Sequence, residues 1–345
     1  MSIVVTGSIA YDYLMSFPGY FKEHILPERI ESLSVSFLVD SMHKRRGGCA
    51  PNIAYSLALL GECPRVIGTV GQDFAEYRAW LEEQGIDTSM IKEIEEEFTA
   101  SFFVSTDLEN NQIASFYTGA MAQAHTLSFK DQDYSAIDMA IISPNDPQAM
   151  VQYTRECQEL GIPYIYDPSQ QIVRLSDEEL REGVRRARML ILNDYEYEMF
   201  RRKTGLSEAE ILTLTPTIGV TKGERGSTVI CLDCEPEDLV GLPDASGLKV
   251  IDVPAVPPRC VSDPTGVGDA YRAGVIKGLV QGYTWETIGR LASLAATYVI
   301  ESHGPQSHRY TLSEFVDHYR EHFGPNEELN DLLDGCQEIE TKDKE

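Results

Sequence analysis

The stretch "SDPTGVGDAYRAG", Ser262–Gly274, sets two glycines around a valine, places an aspartate directly after them, and runs on into helix-forming sequence. Gly266 and Gly268 open backbone angles closed to other residues and put no side chain in the way. Successive N–H groups can then point into one concavity. A helix starting near Asp269 adds its unpaired N–H groups and the positive end of its dipole. Such a turn is an anion site, suited to the charge that builds during phosphoryl transfer. An aspartate beside it can take the proton of an attacking hydroxyl. The plain alternative is a helix cap. The turn is no Walker A loop, since Gly-Lys-Ser/Thr is missing. It is no dinucleotide fingerprint either, because it lies late in the chain and Tyr271 stands where the third glycine belongs.

Upstream, short apolar runs predict buried parallel strands at Ile3–Thr6, Arg65–Thr69, Met139–Ser143, Tyr164–Tyr166, Met189–Asn193 and Thr217–Thr221. Helical patterns fall between them at Pro51–Leu60, Phe74–Gln84, Pro147–Leu160 and Asp177–Ala187, with a further helix at Trp285–Glu301. Strand–helix alternation of this kind predicts a doubly wound α/β fold, a mainly parallel sheet sandwiched by helices. Two stretches break the rhythm. Glu28–Asp40 and Thr99–Tyr117 alternate apolar with polar, as antiparallel strands do, and Asn110–Asn111 supplies turn chemistry. They predict a small antiparallel β-sheet lid, from about residues 14–42 and 97–120, on an α/β domain spanning 1–325. Residues 326–345 read as an acidic tail, a helix end or disordered.

The chain has 345 residues with 55 acidic against 29 basic side chains, a formal net charge of −26. That charge excludes nucleic acid and anionic membrane surfaces as expected partners. No basic leader and no long apolar span is present, so the chain is expected to be soluble and cytoplasmic. Its seven cysteines include one C-x-x-C, Cys231 and Cys234. With no second pair nearby they read as thiols in a strand rather than zinc ligands.

Four other stretches carry polar groups at strand ends or helix starts. In "RRGGCAPNIAYSLALLG", Gly47 and Gly48 precede a helix, and Asn52 projects from its first turn, able to donate and accept. Asp12, in "GSIAYD" after the first strand, can accept from two neighbouring hydroxyls. Asn193 and Glu196 in "NDYE" share one side of a helix start. Thr221, Gly223 and Gly226 in "TKGERGS" form a tight turn after a strand. Each also has a bland reading as a turn, a solvated acid or a cap.

Together these motifs, in this order, resemble the ribokinase/PfkB family of small-molecule kinases over about residues 3–310. The family core is Asp-Thr-x-Gly-x-Gly-Asp, matched here with Pro264 after Asp263. The resemblance implies a ribokinase-like fold and ATP-dependent phosphorylation of a primary hydroxyl with Mg2+. It implies Asp269 as catalytic base, and the backbone of Thr265, Gly266, Val267 and Gly268 as anion hole. It places Asn193, Thr221, Gly223, Gly226, Gly266 and Gly268 on the ATP, with Glu196 reaching magnesium through water. Arg272, one helical turn beyond Asp269, is a tentative phosphate neutraliser, against the alternative of a surface charge.

Substrate choice rests on finer features. The expected lid carries Phe37, Phe102, Phe103, Phe116 and Tyr117, whose rings could stack on a base or simply pack together. Gln170 and Gln171 in "DPSQQ" offer amides that match the edge of adenine. With "VTGSIAYDYLMSFPG", "SFLVD", "QIASFYTGAM" and "NDPQAM", these stretches look most like the bacterial adenosine kinases of the family. That likeness implies adenosine and ATP as partners and a nucleoside site of Ser8, Asp12, Gly47, Gly48, Asn52, Phe102, Phe116, Gln170, Gln171 and Asp269. It also implies a homodimer through the β lid. A ribokinase-like sugar kinase, a kinase for another nucleoside, and a non-catalytic nucleoside-binding regulator stay open as alternatives.

Overall fold

The computed structural model describes residues 1–32, 34–131, 133–232, 247–330 and 332–333. Thirteen strands run through them: β1 (Ile3–Thr6), β2 (Ala10–Ser16), β3 (Ser41–Gly47), β4 (Arg65–Gly71), β5 (Ile91–Ile94), β6 (Ala100–Thr106), β7 (Gln112–Tyr117), β8 (Met139–Ile142), β9 (Tyr164–Tyr166), β10 (Met189–Asn193), β11 (Thr217–Thr221), β12 (Ser227–Leu232) and β13 (Leu248–Val253). Nine form the main sheet in the order β13-β12-β11-β10-β9-β8-β1-β4-β5. It is parallel from β11 to β5, and β12 and β13 add an antiparallel edge. This is the doubly wound architecture the alternation predicts.

Alternation within single strands splits the core between the two faces. Ile3 and Val5 join one buried cluster with residues of the helices Cys49–Leu59, Ala75–Glu83, Val267–Gln281, Trp285–Ile300 and Leu312–Phe323. Val4 joins the other, with residues of Pro147–Leu160, Asp177–Val184 and Asp194–Thr204. Fully burying each such aliphatic side chain contributes about 1.5–3 kcal/mol. Four helices are closed by capping boxes, at Ser176/Glu179, Asn193/Glu196, Ser207/Glu210 and Thr311/Glu314.

The lid sheet has the order β3-β2-β6-β7. Its β2–β6 pair is parallel and its outer pairs are antiparallel, so it is mixed rather than antiparallel throughout. Asn110 sits at φ 63° in the β6–β7 turn, as its turn chemistry predicts. The expected strand at Glu28–Asp40 is not there. Pro27–Ser32 is a 3₁₀ segment, and pairing with β2 begins only at Asp40, whose N–H reaches the Ser16 carbonyl at 2.9 Å. Because β2 ends at Ser16 opposite Ser41, earlier residues run past the end of their partner and have no ladder to join. The lid accordingly begins at Ala10 and takes β3 from Ser41–Gly47, beyond the expected bounds. Cys231 is a buried residue of β12. Cys234 and most of the acidic tail lie outside the described residues.

Candidate active site

Loops at the carboxyl ends of neighbouring strands β1, β8 and β9 meet the lid over one cavity, the usual position for a ligand in an open α/β sheet. The cavity measures about 490 Å³, large enough for a nucleoside. Ser8 follows β1, donates its backbone N–H to Pro144 at 2.7 Å, and caps the Cys49 N–H with its hydroxyl at 3.1 Å. Two helix N-termini converge here, those of Cys49–Leu59 and Val267–Gln281. Gly48 opens the first at φ 94°, where an added Cβ would collide with the backbone of Ser8, Ile9 and Ala10. Gly266 opens the second at φ 81°, backed by Pro305. Both turns require glycine.

The lid contributes through its register. Arg45, Asp12, Phe102 and Phe116 are successive cross-strand partners, so they form one row over β3, β2, β6 and β7 on a single face. Asp12, Phe102 and Phe116 line the cavity, while Arg45 pairs with Asp263 at 2.7 Å. The next row, Lys44, Tyr13, Phe103 and Ser115, points the other way. Phe103 therefore stacks on Tyr13, with centroids 4.7 Å apart. Phe37 packs on Phe17 and Phe21, and Tyr117 bonds Glu97. Of the five lid aromatics named from the sequence, only Phe102 and Phe116 line the cavity. Being side-by-side partners, they make one aromatic wall instead of two jaws.

Asp269 stands in the first turn of its helix, but it does not cap it; Gly266 holds the cap position. Its Oδ2 accepts from the Asn52 amide at 2.8 Å. Burial pushes its carboxyl up to about 7, with Arg272 and Asn52 pulling down and Asp167 and Asp12 pushing up. Burial likewise raises Asp12 to about 6, against the pull of Arg45. Asp263 binds both Arg45 and the Thr265 N–H, at 2.7 and 2.9 Å, and so ties the lid to the glycine turn.

Arg272 is not the surface charge of the alternative reading. It is buried, and it meets Asp167 through both Nη2, at 2.8 Å, and Nε. Burial pushes Asp167 up to about 6 against the guanidinium, which leaves the pair ionised at neutral pH. The guanidinium is a buried, charge-paired group beneath Gly268 and beside Asp269. Gly47 also stands off the cavity lining. An added Cβ there would meet Asp12 Oδ2 at 2.5 Å, so Gly47 makes room for the carboxylate.

The residues expected on ATP form a separate group. Asn193 and Thr221 are register partners at the carboxyl ends of β10 and β11, and Gly223 and Gly226 shape the turn that follows. Glu196 accepts from the Asn193 N–H at 2.9 Å and from the Ser169 hydroxyl at 2.7 Å. The capping reading of Asn-x-x-Glu is thus realised. Two of the carboxylate's roughly four acceptor positions remain, which fits a hydrated magnesium ion held through water. Ser169 links this group to Gln170 and Gln171, which line the cavity.

The cavity also takes in residues that the sequence reading passed over: Met121, Pro144, Cys49 and Arg174. Arg174 follows "DPSQQ" by three residues and carries no signature of its own. Asp263, Asp167 and Gln306 were missed for a different reason, since their partners lie 105 to 254 residues away.

The family model for pfkB family carbohydrate kinases matches residues 8–311, which contain both glycine turns, the lid and the strand-end loops. The chain belongs to this family. Its similarity extends to a nucleoside kinase of Burkholderia thailandensis solved in complex with inosine, with 36% identity, a TM-score of 0.79, and coverage of 94% of this chain and 99% of that one. The same protein was solved in complex with ADP-inosine. A nucleoside kinase of Methanocaldococcus jannaschii is 27% identical over 322 residues, 93% of this chain and 97% of that protein, and its structure superposes with a TM-score of 0.80. That M. jannaschii protein is an archaeal member of the ribokinase family, and this chain shares its ribokinase-like fold.

Proposed function

We propose that the protein is an ATP-dependent nucleoside kinase that phosphorylates the 5′-hydroxyl of a purine nucleoside, adenosine among them, to give the nucleoside monophosphate and ADP. The observation that carries this reading is one cavity holding Asp12, Asn52, Phe102, Phe116 and Gln171 together with Asp269 and the Thr265–Gly266 turn. Support comes also from the nucleoside kinases it resembles, of which the B. thailandensis protein binds inosine. The nucleoside lies with its base against the Phe102–Phe116 wall and its ribose hydroxyls on Asp12 and Asn52. Gln171 is buried with an unpaired Oε1, an acceptor for a polar edge of the base. Gly48 leaves room for the sugar.

Asp269 then accepts the 5′-hydroxyl proton as the oxygen attacks in line. Of the four expected anion-hole donors, the Thr265 N–H is taken by Asp263 and the Val267 N–H by the Pro264 carbonyl, so the N–H groups of Gly266 and Gly268 and the dipole of the following helix are left for the charge that develops on the transferred phosphoryl group. Asn193, Thr221, Gly223 and Gly226 would hold the nucleotide, and Glu196 would hold magnesium through water. When bound, the metal neutralises phosphate charge. The lid edge, with β7 exposed along its length, fits a homodimer contact. The protein's place would be cytoplasmic purine salvage; no helix among the described residues is long and apolar enough to cross a membrane.

The test is turnover with ATP and magnesium on adenosine, inosine, guanosine and ribose. Nucleosides should be phosphorylated with kcat/KM at least tenfold above ribose. Turnover of ribose alone would return the protein to the sugar kinases, and no turnover of any acceptor would favour a binding protein.

A further inference from the structure

Asn52 is the only side chain hydrogen-bonded to Asp269 among the described residues, and an amide offers either of two ends. Its NH2 end favours an ionised Asp269; its oxygen end favours a protonated one. Which end faces the base is decided one residue further back. Gln306 Nε2 donates to Asn52 Oδ1 at 2.7 Å and to the Tyr77 hydroxyl at 2.6 Å. The Tyr77 hydroxyl spends its own proton on the Gly47 carbonyl at 3.0 Å, so toward Gln306 it can only accept. Gln306 must therefore present its NH2 to both partners. Asn52 Oδ1 is thereby occupied, and Asn52 Nδ2 is left to face Asp269.

We propose that Gln306 is a positioning residue for the phosphoryl transfer, fixing the Asn52 amide so that it donates to Asp269 and holds the base ready to accept a proton. The relay runs from the Gly47 carbonyl through Tyr77, Gln306 and Asn52 to Asp269, and it joins the two glycine turns of the site. Gln306 is buried, and its Oε1 has no hydrogen-bond partner among the described residues. A buried unpaired acceptor costs stability; a methionine would fill the space without it. Two used N–H groups and an idle oxygen describe a residue kept for orientation. Gln306 does not line the nucleoside cavity, so its effect passes through Asn52.

The other groups facing Asp269 are Arg272 on its own helix, Asp167 after β9, Asp12 on β2 and the Cys49 thiol at the neighbouring helix start. None of them contacts Gln306 through a hydrogen bond or ion pair, so removing the glutamine leaves their charges in place. Without it the Asn52 amide can turn, and its oxygen then accepts from a protonated Asp269. The base becomes harder to ionise.

The inference rests on Asp269 acting as the base. Its test is the pH dependence of kcat/KM for the nucleoside, with saturating ATP and magnesium, in wild type, Gln306→Met and the near-isosteric Gln306→Glu. The acidic limb is expected to move up by roughly one pH unit in both variants. The alkaline plateau should fall less than tenfold. In an Asn52→Ala background, Gln306→Met should move the limb no further. A lowered plateau with an unmoved limb would make Gln306 merely structural and overturn the proposal, as would an equal shift without Asn52. Should Asp269→Asn turn over at the wild-type rate, it is the base assignment that fails. Should that variant be dead while the glutamine variants keep the wild-type limb, only the relay fails.

Discussion

Replacing Asp269 by asparagine should cost activity and add stability, with a pH signature that no ordinary surface change produces. The side chain keeps its shape, and an amide oxygen can still accept from Asn52. What goes is the negative charge of a half-buried carboxylate. Asp269 sits at about 7 in the folded protein against 3.8 for the free side chain, with burial as the chief cause. A raised folded-state value means the native state holds the proton longer than the unfolded chain does. Stability therefore falls as pH rises from about 4 to about 7 and is level above that. Three pH units at about 1.4 kcal/mol each set a ceiling of about 4 kcal/mol. Water reaching the cavity screens part of it, so about 1–3 kcal/mol is expected, or a Tm gain of about 2–5 °C. Thermal melts at pH 4.5 and pH 8 measure this, and the gain should appear mainly at pH 8. In parallel, turnover should drop by about 10²–10⁴-fold. The wild-type kcat/KM should rise with pH through a limb near 7. A variant retaining a tenth of wild-type turnover, or a Tm gain equal at both pH values, would refute the reasoning.

Two further outcomes follow from the lid and the buried ion pair. Phe102→Ala and Phe116→Ala should each raise the nucleoside KM by about 5–100-fold with the ATP KM unchanged, whereas Phe103→Ala, on the opposite face, should leave nucleoside KM within about threefold; equal effects of all three would contradict the register. Asp167→Asn removes the ion-pair partner of the buried Arg272 and should cost about 3–5 kcal/mol in urea unfolding, and adding Arg272→Met should recover most of it; a loss below 1 kcal/mol would mean the pair is not buried as described.

Much of the main sheet was legible because its signal is local. Ile3–Thr6, Tyr164–Tyr166, Met189–Asn193 and Thr217–Thr221 occur as strands with the bounds their apolar runs predict. Turn chemistry at Asn110 and the Gly-x-Gly-Asp turn were local too. The Glu28–Asp40 stretch shows the limit: alternation marks a segment that is able to pair, but a strand needs a partner alongside, and β2 had already ended.

By itself, the sequence determined the strand–helix rhythm, the two glycine turns and the identity of the carboxylate at the second of them, since each depends on residues within one helical turn or one strand. Tertiary structure decided which lid aromatics face the cavity, that Arg272 answers Asp167, and that Gln306 stands behind Asn52. The physical reason is that register flips a side chain from one face to the other with a shift of one residue, and buried pairs join positions more than a hundred residues apart. No periodicity within a segment encodes either.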